Sequence, residues 1–136
     1  MKKFEVLEHK ADLKIKVFAK GKKELFENAM IAMFEAAQYK PLAGGEEKKE
    51  EIKISSFDFS SLLVDFLNEV LYLTETKKEV YQRAEFEELS ETGLKARLWG
   101  RELKTMGVNI KAATYHQLEL KKGKEGLLEA IILFDV

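Results

Sequence analysis

Apolar and polar residues alternate from residue 13 to 19, with Leu13, Ile15 and Val17 on one side and Lys14 and Lys16 on the other. A period of two describes a strand with one buried and one wet face. A shorter run, Phe4-Glu5-Val6-Leu7, precedes it and also reads as a strand. The period then changes. Leu25, Phe26, Ala29, Met30, Met33, Phe34 and Ala37 recur at three- and four-residue spacing, which predicts an amphipathic helix over 22–38, closed by Pro41 and Gly44-Gly45. Glu46 to Glu51 reads as a solvated turn, and Ile52 and Ile54 mark a short strand. A second helix is predicted from an N-cap at Asp58, with Ser60 or Ser61 as alternatives, to about Glu75. Its buried stripe is Leu62, Leu63, Phe66, Leu67, Val70, Leu71 and Leu73. Asp65, Asn68, Glu69 and Tyr72 lie off that stripe and read as solvent-facing.

Strands follow to the end of the chain. Val80, Gln82, Ala84 and Phe86 alternate, and Gly93 suggests a hairpin turn before Leu94, Ala96 and Leu98. Gly100-Arg101-Glu102 reads as an interruption. In the long run from Val108 to Leu120, one face takes Val108, Ile110, Ala112, Thr114, His116, Leu118 and Leu120; the other takes Lys111, Ala113, Tyr115, Gln117 and Glu119. Lys121 to Gly126 is a charged turn, and the nearly all-apolar run Leu127–Phe134 predicts a central strand. The order ββαβαββββ, with short turns among the last strands, defines an α+β fold of mostly antiparallel strands in two small sheets packed with two helices. Residues 1–136 read as a single domain with no repeat and no linker.

Composition narrows the chemistry. The chain has no cysteine, so disulfides and thiol catalysis are excluded. Its 23 basic and 24 acidic residues give a net charge of −1, with no global field for gripping nucleic acid. No apolar run approaches the ~18 residues that span a bilayer, and the N-terminus lacks a signal-peptide core, so a cytoplasmic location is expected. Phosphate-cradling loops, dinucleotide fingerprints, nucleophile elbows and zinc spacings are all missing.

Carboxylates remain. Asp12 closes the polar connector Glu8-His9-Lys10-Ala11-Asp12 between the first two strands, and Asp135 with the α-carboxylate of Val136 ends the last one. Brought together, these hard oxygens suit Ca²⁺, Mg²⁺ or Mn²⁺. The alternative is a turn residue at Asp12 and a solvated tail at Asp135. His116, on the apolar face of its strand, reads as a satisfied histidine, and Lys111 as an ordinary solvated lysine.

Five segments taken together carry a family resemblance. His9-Lys10-Ala11-Asp12 resembles the His-Thr-Ala-Asp signature of the archease family. Glu24–Ala29 with Ala32–Glu35 resembles its first helix, and Leu63–Leu73 its second. Lys111-Ala112-Ala113-Thr114-Tyr115-His116 is similar to its Lys-Ala-x-Thr-Tyr-His segment, and Phe134-Asp135-Val136 to its C-terminal end. The resemblance implies a non-enzymatic accessory activator of the GTP-dependent RNA-splicing ligase that works in tRNA splicing and RNA repair. Such a protein promotes guanylylation and multiple turnover of the ligase. It implies a divalent-metal site (calcium, magnesium or manganese) at Asp12, Asp135 and Val136, and a functional lysine at Lys111. It also implies contact with tRNA or broken RNA only through the ligase, and no DNA or membrane partner. A chaperone or modulator of a tRNA-modifying enzyme such as a methyltransferase is the second reading, and a stand-alone hydrolase using Asp12 and Asp135 a third. Lys10 stands where the family has threonine, and a cation there would weaken metal binding if it pointed inward.

Overall fold

The structure, a computed structural model, describes residues 2–9 and 12–136; of Glu8, His9, His116, Gln117 and Lys124 only the main chain is described. It has eight strands and two α-helices among the described residues. In chain order these are β1 (Phe4–His9), β2 (Asp12–Ala19), α1 (Lys22–Ala36), β3 (Lys40–Pro41), β4 (Lys48–Ser55), α2 (Phe59–Lys77), β5 (Glu79–Leu89), β6 (Gly93–Thr105), β7 (Ala112–Lys122) and β8 (Leu128–Asp135). The α+β order expected from the pattern is present, with β3 as a two-residue addition too short to show a period. Among the described residues no helix is long and apolar enough to cross a membrane.

Two antiparallel sheets enclose the helices. The first has the order β1-β2-β8-β7, so the apolar β8 is interior, as its composition predicts. In the second, β6 carries β4 and β3 along one edge and β5 along the other. Helix α1 packs on both β2 and β5, and α2 on β7 and the second sheet. The helices therefore lie between the sheets rather than covering one face. That is why α1 buries Leu25, Phe26, Asn28, Ala29, Met30, Ala32, Met33 and Phe34, which cover much more than one stripe. Phe26 sits at the junction, with ring centroids 5.3 Å from Phe59, 5.5 Å from Phe66 and 5.8 Å from Phe86.

Three expectations need correction. β4 begins at Lys48, inside the segment read as a turn. Its inward positions there carry long charged chains, and Glu50 reaches Lys77 of α2 at 2.7 Å, so no apolar period marks them. β6 runs unbroken through Gly100. A Cβ on Gly100 would lie 2.0 Å from the Val80 carbonyl oxygen, so this glycine serves a close approach of β5 rather than a break. The run from Val108 is a strand only from Ala112, and its face assignment reverses midway. Ala113 is 4% exposed and Tyr115 55%, whereas Leu118 and Leu120 pack on the core. A register irregularity between Thr114 and Glu119 resets the phase, because an irregular insertion changes which side chains point inward.

Candidate functional site

Strand register decides whether the two ends of the chain meet. In β2 and β8, Leu13 pairs with Phe134, Ile15 with Ile132 and Val17 with Ala130, all of them buried. Continuing that register, Asp12 pairs with Asp135. Side chains alternate along a strand, so both aspartates lie on the sheet face opposite Leu13 and Phe134, and both are exposed. Directly opposed residues of an antiparallel pair have Cβ atoms roughly 4.5–5.5 Å apart, and like charges placed so are unfavourable. Such a local conflict in an otherwise consistent sheet points to function.

β7 reaches the same place from the other side of β8. Ala112 pairs with Asp135, and the Lys111 N–H donates to the Asp135 carbonyl at 2.8 Å. Lys111 is exposed, and Val136 is half-buried with its side chain on the core. Asp12 and Asp135 thus end two adjacent strands, and Lys111 lies one residue before the third, β7. Among the described residues no group of three or more His, Cys, Asp or Glu could hold a metal. The two carboxylates, and the main-chain oxygens of Val136 one residue beyond, would offer oxygen donors only. That chemistry fits a hydrated hard cation and does not fit zinc or copper. The side chains of His9 and His116, and all of Lys10, lie outside the described residues.

Two residues read as solvent-facing instead fasten β7. β7 is an edge strand. The Asn68 amide, projecting from α2, donates to the Ala113 carbonyl at 3.0 Å, and its oxygen accepts from the Ala113 N–H at 2.7 Å. One side chain thus supplies what a neighbouring strand would. One turn earlier on the helix, Asp65 accepts from the Ser56 hydroxyl at 2.5 Å and from the Tyr115 hydroxyl. That hydrogen bond, with some burial and the negative charge of Asp65 behind it, pushes the Tyr115 phenol up to about 12. Asp65 and Asn68 therefore hold the strand on which Lys111 is mounted. Their i, i+3 spacing off the apolar stripe is the only signal the sequence offers.

A separate cavity of about 360 Å³ lies between the end of α2 and the segment before β7, lined by Tyr39, Leu71, Thr74, Leu103 and Ile110 among others. Neither aspartate nor Lys111 lines it. The acid pair lies on open surface.

Fold and site together define a class: a two-sheet α+β sandwich that presents an acid pair and a lysine at one sheet end. Comparison with known proteins names it. The sequence matches the archease protein family over residues 4–136. A protein archease of Methanosarcina mazei is 37% identical over 97% of this chain and 95% of its own length. One from Pyrococcus abyssi is 32% identical over the whole of both chains. The solution structure of Methanobacterium thermoautotrophicum protein 1598 superposes with a TM-score of 0.68 at 28% identity, covering both chains in full. The Thermotoga maritima crystal structure described as an archease, possible chaperone, has a TM-score of 0.69 at 22% identity and bears on the fold alone; it covers 97% of this chain and 96% of that one. The chain belongs to the archease family.

Proposed function

We propose that this protein is an accessory activator of the GTP-dependent RNA-splicing ligase, promoting its guanylylation and multiple turnover, and is not itself an enzyme. The supporting observation is the register that sets Asp12 opposite Asp135 with the Lys111 main chain bonded to Asp135. Asp12, Asp135 and the main-chain oxygens of Val136 would hold Ca²⁺, Mg²⁺ or Mn²⁺. A cation bound there supplies positive charge toward phosphate oxygens. Lys111, exposed at the same sheet end, offers a second positive group, free to meet a phosphate presented by the ligase. The exposure of Asp12, Asp135 and Lys111 suits groups offered to a partner's active site. RNA is met only through the ligase, in keeping with a net charge of −1.

Multiple-turnover ligation by the cognate ligase, with GTP and divalent metal, tests the proposal. The protein is added in substoichiometric amount, with Asp12→Ala beside it and calcium titrated calorimetrically into both. Stimulation and cation binding by the wild type, both lost in Asp12→Ala, is the expected result. Stimulation by both proteins would keep the partner and remove the acid pair. Absence of stimulation with suppression of client aggregation would instead support the chaperone reading.

A further inference from the structure

The outward side of α2 carries a second feature, which the acid pair does not use. Phe57, in the turn before α2, is 91% exposed, Tyr72 is 59% exposed and Tyr115 is 55% exposed. A scattered exposed aromatic needs no explanation. These three belong to one surface. Phe57 adjoins Ser56, Ser56 bonds Asp65, and Asp65 accepts from Tyr115. Tyr72 stands seven residues beyond Asp65, two helical turns along the same stripe, with Glu69 between them. Asp58, seven residues before Asp65, caps the helix through the Ser61 N–H at 2.8 Å. From Asp58 to Thr76 the chain has no Lys or Arg, while Asp58, Asp65, Glu69 and Glu75 are acidic. In a chain of balanced charge, every ionisable side chain on this helix from Asp58 to Thr76 other than Tyr72 is a carboxylate.

We propose that this strip is the docking surface for a basic face of the splicing ligase, an inference that rests on the ligase being the partner. Charge complementarity commits the occupant. An enzyme that handles RNA needs basic surface for phosphates, and the strip offers carboxylates and π faces to such groups. Tyr115 is held by Asp65, and the helix beneath by its cap, so part of the surface is ordered before contact, which lowers the entropy cost of binding. From Asp58 to Tyr72 the strip runs about 21 Å along the axis, at about 1.5 Å per residue, a length suited to one side of a standard interface. It is also continuous with the candidate site through Asn68, Ala113 and Lys111. A ligase seated on α2 has Lys111 and the acid pair at its edge.

The test is calorimetric binding of purified cognate ligase to the full chain at several salt concentrations. Wild type is compared with Phe57→Ala/Tyr72→Ala and with Glu69→Lys, and circular dichroism monitors the fold of each. The wild type binds, its affinity falls as salt rises, and each variant binds at least about tenfold more weakly with its fold intact. Wild-type affinity in the folded double variant would overturn the docking surface while leaving the ligase as partner. Salt-independent binding would overturn the charge argument on which the occupant rests. A wild type that does not bind the ligase at all removes both the proposed function and this surface. Should one variant fail to fold, the other and the salt series carry the decision.

Discussion

Asn68 shows how one side chain can decide the state of a strand. Its amide meets both the N–H and the carbonyl of Ala113, on an edge where no further strand pairs among the described residues. Asn68→Ala removes both partners at once. The expected cost is roughly 1–3 kcal/mol, because two half-buried main-chain groups lose a bond that water replaces poorly. Asn68→Asp keeps the acceptor for the Ala113 N–H and loses the donor to its carbonyl, so its cost should be smaller. Urea denaturation of the three proteins checks the order, and amide hydrogen exchange should quicken first at Ala113. Equal stability in all three would mean that the strand holds its edge without the helix. Gly100 makes the same point by subtraction, since its lack of a side chain lets β5 approach β6.

At the scale of the element, the link between α2 and β7 has a pH signature. The Tyr115 phenol is pushed up to about 12 from 10.0, first by its hydrogen bond to Asp65, so the folded protein favours the neutral phenol. The stability this contributes is full below pH 10, where the unfolded phenol is still protonated, and is lost as pH rises through about 12. The effect is small, since Tyr115 is 55% exposed and water screens the pair. Tyr115→Phe should therefore be less stable than wild type near neutral pH, with the gap closing between pH 10 and 12. A gap that stays constant over that range would mean the hydroxyl contributes nothing through Asp65.

The same elements show what the sequence could reveal. Leu13, Ile15 and Val17, and the stripe from Leu62 to Leu73, declare a strand and a helix because one face of each is buried. β7 could not be phased, because the irregularity after Thr114 moves the inward position from Ala113 to Leu118 and Leu120. The two ends of the acid pair were visible as residues. Their meeting is implied by the family resemblance and not by the apolar period, because the two residues stand near opposite ends of the chain and only the β2–β8 register sets them opposite each other. Asp65 and Asn68 were invisible as fasteners because a polar residue bonded to a strand and one facing water leave the same trace in a helical period.

For the whole molecule, the decisive fact is that the helices belong to both sheets. The acid pair and Lys111 sit at one end of the first sheet. The second sheet matters because it holds α2, and α2 holds β7. Neither sheet can then lose its inner layer without exposing the other's core. Phe26 is the residue most exposed to this logic, being fully buried on α1 with rings from α2 and β5 against it. Phe26→Ala should cost roughly 3–5 kcal/mol by removing a large side chain at a junction that can collapse from no single side. The loss should appear as one shifted transition rather than as the early melting of one layer. The single tryptophan, Trp99, lies on β6 in the second sheet and reports that layer by fluorescence, while far-UV circular dichroism reports the whole chain. Coincident melting curves in both wild type and Phe26→Ala are expected. A fluorescence transition that precedes the dichroism transition would mean that the second sheet opens by itself, and that the first keeps the acid pair and its lysine without the enclosure described here.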